Sequence, residues 1–181
     1  MSKLLITAAT ELEISELLQY LNNNYQVLQT HLYQKNNLVV YVLITGVAAI
    51  NTTYQLTCFF AENKNIDIAI NVGIAGIADK SATLATVYKI TKDVFADMGA
   101  TSPKGEFIDV FDMDFINPNQ YPYTNKYLHS ANPNNLFQFL VDTNAVTQNK
   151  ISSTTAELDY FYKKYPFHLE SMEGAAFFLC L

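Results

Sequence analysis

The residues best suited to chemistry in this chain are two glutamates set far apart, Glu13 and Glu173. Glu173 belongs to the stretch Glu170-Ser171-Met172-Glu173-Gly174-Ala175-Ala176, which opens an apolar helical pattern. Ser171 suits the cap of that helix and Glu173 its first turn, where unpaired N–H groups and the helix dipole favour an acid. That accounts for the charge with no function attached. A second reading starts from Gly174, Ala175 and Ala176, which leave no bulk beside the carboxylate, so that something flat can approach while Met172 offers a soft apolar contact. Glu13 has the same two sides. Thr10-Glu11-Leu12-Glu13 fits a capping box, in which the acid closes onto its own backbone. Yet Glu13 also lies just past the first predicted strand, at the carboxyl end where α/β sheets hold their ligands. Two carboxylates facing one crevice, one handling water and one holding a sugar, are what cleavage of a glycosidic bond requires. Its oxocarbenium-like transition state gains from nearby negative charge, and the attacking water needs a base. A nucleoside would further need an acid or donor on the base, to carry away the leaving group's charge.

These acids have to be positioned by the elements between them. Lys3 to Ala8 is an apolar run that suits a buried strand. Ile14, Leu17, Leu18 and Leu21 then fall at the spacing of one helical face, which Asn22-Asn23-Asn24 stops. Val27 to Gln34 and Leu38 to Thr45 flank Lys35-Asn36-Asn37 as the arms of a hairpin. A helix from about Ala48 to Glu62 and a strand from Ile66 to Val72 follow. Gly73-Ile74-Ala75-Gly76 comes at the carboxyl end of that strand; two glycines so spaced also suit an ordinary tight turn. Thr86 to Val94 predicts a strand, Asn135 to Asn144 a short helix, Ala145 to Ser152 a strand, and Thr154 to Tyr165 a helix with Thr154 and Glu157 as its capping box. Between them Thr101 to Pro133 reads as irregular and rich in proline and aromatics, as expected of a binding lid or partner surface. The order of elements predicts one α/β domain over residues 1–181, three-layer α-β-α with a central mixed, largely parallel twisted sheet. The last helical pattern runs to Leu181 without a polar cap, and the expectation is that a C-terminal segment is missing.

Composition narrows the function classes. The chain has 181 residues, half of them hydrophobic, and a net charge of −6; its 11 basic residues are all lysines. Nucleic-acid binding is therefore not expected, since neither a basic stripe nor a guanidinium fork is available. Cys58 and Cys180 lack metal-ligand spacing and read as reduced core residues, with no metal and no cofactor expected. The N-terminal apolar run is too short and too acidic for a signal peptide, and no stretch reaches the ~18 apolar residues needed to cross a bilayer, so a cytoplasmic protein is expected.

As a set, Ile6-Thr7-Ala8-Ala9-Thr10-Glu11-Leu12-Glu13-Ile14, Asn71-Val72-Gly73-Ile74-Ala75-Gly76 and Ser171-Met172-Glu173-Gly174-Ala175-Ala176 resemble the three signature stretches of the nucleoside phosphorylase and nucleosidase superfamily. Within it, Val94-Phe95-Ala96-Asp97-Met98-Gly99-Ala100, Pro122-Tyr123-Thr124-Asn125 and Glu170 to Phe178 are most similar to the futalosine hydrolases, nucleosidases of a menaquinone pathway. The resemblance implies that Glu13 activates the water attacking C1′, that Glu173 holds ribose hydroxyls, that Met172 packs beneath the sugar and that Ala75 and Gly76 line the pocket. Ser171 stands where methylthioadenosine/adenosylhomocysteine nucleosidases usually carry another glutamate. The resemblance also implies a homodimer in which an aromatic residue crosses from the neighbouring subunit, with Phe107 as the candidate. Two departures stand out: Ala85-Thr86 replaces the Gly-Asp of many relatives, and the base-side Asp or Asn of the family would come after Leu181. Related phosphorylases grip phosphate with arginines, whose guanidinium matches its oxygens. With none here, the implied reaction is hydrolysis of a purine nucleoside, futalosine first. A methylthioadenosine/adenosylhomocysteine nucleosidase, a purine nucleoside phosphorylase and a non-catalytic nucleoside-binding module are the alternatives.

Overall fold

The computed structural model describes residues 1–79, 81–131 and 136–181. The chain divides into two compact units, residues 1–74 with Cys180 and residues 75–179 with Leu181.

In the first unit β1 (Ser2–Ala8) leads through a 3-10 turn (Leu12–Ile14) into α1 (Ser15–Asn24). Then come β2 (Gln26–Gln29), β3 (Leu32–Lys35), β4 (Leu38–Ile44), α2 (Ala49–Glu62) and β5 (Ile68–Asn71). The sheet order is β2-β3-β4-β1-β5, with β1 parallel to both neighbours and β2, β3 and β4 antiparallel. A strand lying between two parallel neighbours is covered on both faces, which is why β1 reads as an unbroken apolar run and buries Leu5, Ile6, Thr7 and Ala8 together. The predicted helical face is the one that packs: Ile14 and Leu21 are buried, and Leu17 and Leu18 lie against the same cluster as Ile6, Tyr33, Val40 and Val42. The predicted hairpin becomes three strands, because the chain reverses at Thr30-His31, where His31 takes a left-handed φ of 61°. Cys58, expected in the core, is exposed on α2.

The second unit contains β6 (Gly76–Ile77), β7 (Tyr88–Asp93), β8 (Gly99–Thr101), β9 (Phe107–Asp109) and β10 (Leu128–His129). They are followed by β11 (Val141–Thr147), α3 (Thr155–Lys164), β12 (Leu169–Ser171) and α4 (Gly174–Leu179). Its sheet runs β10-β7-β11-β12-β6, parallel through β7, β11 and β12 and antiparallel at both edges. Mixed sheets with flanking helices, parallel at their centres, are the α/β class expected from the sequence. Val94, Ala96, Phe111, Val146, Tyr165 and Phe167 form the core of this unit.

Three expectations need correcting here. Asn135 lies outside the described residues, but 136–140 are turns and β11 already begins at Val141, so the helix predicted over 135–144 does not form. Pairing with β7 and β12 outweighs the local helical pattern of that stretch. The strand predicted over 145–152 is correspondingly earlier. The segment after Thr101, read as irregular, is ordered at its start by the β8–β9 ribbon, while residues 132–133 lie outside the description. Beyond the ribbon it is pinned to α3 by charge: Lys126 contacts Asp109 and Asp112, Lys164 contacts the same two acids, and the Tyr165 hydroxyl donates to Asp109.

Two turns carry alanine where the backbone favours glycine. Ala48, just before α2, has φ 77° and ψ 158°, and Ala85, in the turn before β7, has φ 60°. Among the described residues, no helix is long and apolar enough to cross a membrane.

Candidate functional site

Glu13 sits on the 3-10 turn just past the carboxyl end of β1, half-buried. The capping-box expectation holds in detail: the Thr10 amide and hydroxyl donate to Oε2 at 2.9 and 3.2 Å, and the Glu13 amide donates to the Thr10 hydroxyl at 3.4 Å. The second oxygen is used differently. Oε1 accepts the Ile74 amide at 3.4 Å, beyond the end of β5. A Cβ on Gly73 would stand 3.2 Å from Oε1, so glycine is what lets this backbone come so close to the acid. One side chain thus closes the capping box and also reaches the backbone beyond β5. Its carboxylate is held in a fixed orientation at the ends of two parallel strands, and it remains partly accessible, as a base acting on water must be.

The other candidates lie in the second unit. Ser171 ends β12, and the helix begins at Gly174 rather than at Ser171, so Glu173 precedes it; the Glu173 carbonyl accepts the Phe177 amide at 3.0 Å. The Ser171 hydroxyl accepts the Gly174 amide at 3.3 Å, and the Met172 amide donates to Glu173 Oε2 at 3.2 Å. Met172 and Glu173 are both half-buried. Gly76 pairs with Glu170 across the β6–β12 ladder, which brings the glycine turn and the acidic stretch side by side. Ala75 and Gly76 are exposed. A Cβ on Gly76 would meet its nearest atom at 3.7 Å, an ordinary contact, so packing does not demand glycine there. Phe107 lies elsewhere, on β9, with its ring against Phe161 at 6.1 Å and under the Lys164 ammonium at 5.3 Å.

Sequence reasoning gave no role to two buried acids, Glu170 at the head of this stretch and Asp93. Glu170 is fully buried and accepts from the Gln148 side chain and from the Ser152 amide and hydroxyl, at 3.0 and 2.8 Å for the latter two. Asp93, at the end of β7, accepts the Val94 amide at 2.7 Å and the Thr147 hydroxyl at 3.1 Å. Burial pushes its carboxyl up to about 7, although both donors pull it down. The one visible signal was a charged residue closing an otherwise strand-like run.

No protein-family model matches the sequence, and no curated protein matches it. Solved structures do. The methylthioadenosine/S-adenosylhomocysteine nucleosidase of Campylobacter jejuni matches with a TM-score of 0.76 at 16% identity, covering 99% of this chain and 79% of its own. That of Streptococcus pneumoniae, solved with a transition-state inhibitor, matches at 0.72 and 19% identity over 98% and 78%. A futalosine hydrolase mutant of Helicobacter pylori matches at 0.73 and 13% identity over 99% and 84%. At such identities the likeness defines the fold, and the chain has the α/β fold of these nucleosidases.

Proposed function

We propose that the protein hydrolyses the N-glycosidic bond of a purine nucleoside, with Glu13 as the base for water and Glu173 as the holder of the ribose hydroxyls. The water gives its proton to Glu13 and its oxygen bonds to C1′. The C1′–N bond breaks, its electron pair leaves with the purine, and the purine takes up a proton. The observation that carries this reading is the Glu13 carboxylate, fixed by Thr10 on one oxygen and by the Gly73–Ile74 backbone on the other. Support comes from the fold shared with nucleosidases and from Met172 and the small residues beside Glu173. Futalosine is the first substrate to try, because Glu170-Ser171-Met172-Glu173-Gly174 resembles futalosine hydrolases. Methylthioadenosine or adenosylhomocysteine is the second, since most of the matching structures named above are nucleosidases of that kind. Both compact units belong, in this proposal, to one cytoplasmic nucleosidase domain that works as a homodimer, Ala75, Gly76 and Ser171 lining the pocket and Phe107 the aromatic offered to the partner.

The test is to incubate the protein with futalosine, methylthioadenosine and inosine, with and without phosphate, and to assay free purine. Hydrolysis without phosphate acceleration is expected. Glu13→Gln should lower kcat by about 10²-fold or more with KM nearly unchanged, the scale of a lost general base. Glu173→Gln should raise KM as well. Release of a sugar phosphate that depends on added phosphate would overturn the hydrolytic reading. Tight binding with no purine released would leave a nucleoside-binding module.

A further inference from the structure

Asp93 is a fully buried acid with no part in the chemistry above, and it lies against the turn that carries Glu173. A Cβ built on Gly174 would stand 2.3 Å from Asp93 Oδ2. That separation lies far inside any non-bonded contact, so the glycine leaves the space that the carboxylate fills. The Thr147 hydroxyl lies between the two elements. It accepts the Ala175 amide at 2.8 Å, which directs its own proton to Asp93 Oδ2 at 3.1 Å. The Val94 amide holds Oδ1 at 2.7 Å, so both carboxylate oxygens are engaged. The Ser171 hydroxyl takes the preceding amide, Gly174, at 3.3 Å. The two amides that follow Glu173 are therefore each bound by a hydroxyl, and one of those hydroxyls is oriented by a buried acid.

We propose that Asp93 is a positioning residue for Glu173, acting through the Thr147 hydroxyl to fix the Met172–Glu173–Gly174 turn from beneath. The proposal rests on the nucleosidase reading, in which that turn holds the ribose. It explains why glycine follows Glu173 and why a threonine ends β11. Valine has nearly the shape of threonine but neither accepts nor donates, so Thr147→Val takes the acceptor from the Ala175 amide and the Thr147 donor from Asp93 Oδ2. Serine restores both bonds.

The experiment compares Thr147→Val, Thr147→Ser and Asp93→Asn with wild type by steady-state kinetics on the nucleoside that the wild type cleaves, after circular dichroism has established that each is folded. Thr147→Val is expected to raise KM at least tenfold with kcat within threefold. Thr147→Ser should return KM to within twofold of wild type, and Asp93→Asn should raise it at least threefold. A folded Thr147→Val or Asp93→Asn with wild-type KM overturns the proposal, as does a serine variant no better than valine. If Thr147→Val fails to fold, Asp93→Asn decides. If the wild type cleaves no nucleoside, the nucleosidase reading fails by itself, and positioning is read from hydrogen exchange at the Ala175 amide. Exchange at least tenfold faster in whichever of Thr147→Val and Asp93→Asn folds supports it, and unchanged exchange overturns it.

Discussion

The Asp93 carboxyl titrates near 4 in an unfolded chain and near 7 in its buried site, so the folded state binds that proton more tightly. The resulting stabilisation is complete below about pH 4 and is lost as pH rises through 7. Asp93→Asn cannot ionise. Urea unfolding should therefore find the variant gaining on wild type by roughly 2–3 kcal/mol between pH 5 and pH 8. A difference independent of pH would show that burial does not shift this group. Glu13 illustrates the opposite situation, a residue whose purpose two local rules explain equally well. Its bond to Thr10 was legible from three residues of sequence. Its approach to Gly73 and Ile74 was not, because nothing local to either stretch specifies that β1 and β5 are neighbours.

Elements were legible where local chemistry and tertiary pairing agree. The Thr154–Glu157 capping box starts α3 where expected, with the reciprocal bonds in place. Residues 136–147 show the contrary case, since the partners that make β11 a strand come from β7 and β12. At the start of α2, Ala48 occupies a region that glycine alone takes comfortably, at a cost of roughly 1–3 kcal/mol. Ala48→Gly relieves that cost but loosens the unfolded chain, so a net gain of about 1 kcal/mol is expected, read as a higher urea midpoint. Further along, burial would raise the Asp109 carboxyl, but the Tyr165 hydroxyl, the Asp112 amide and Lys126 outweigh it and hold it at about 2. This depressed group contributes stability above about pH 4 that is lost as pH falls towards 2. Tyr165→Phe should destabilise by about 1.5–3 kcal/mol at neutral pH, the scale of a hydrogen bond to a charge. It should also move the acid unfolding midpoint upwards; an unmoved midpoint would assign the bond no role.

At the scale of the molecule, an acidic chain without arginine has little with which to grip a phosphate dianion bidentately, and this composition is why the proposed reaction is hydrolysis and not phosphorolysis. The proposed homodimer has its own check. Phe115, Tyr121 and Phe139 are 77%, 88% and 83% exposed, three aromatic rings left in water. Sedimentation equilibrium at micromolar concentration should return twice the 20.4 kDa chain mass, and a species of one chain mass would remove the partner aromatic from the mechanism. Much of the fold could be read from the sequence because β1 and β4 are apolar runs and α3 carries its own capping box. The candidate site was read only in part, since Asp93 and Thr147 meet across β7 and β11, and Glu170 meets Gln148 and Ser152 beyond β11, through bonds that no spacing encodes. One turn carries a broader implication. Ala85 holds a φ of 60°, where a side chain crowds the backbone and glycine would sit at ease, so the course of that turn is prescribed by the structure around it and not by the residue that occupies it.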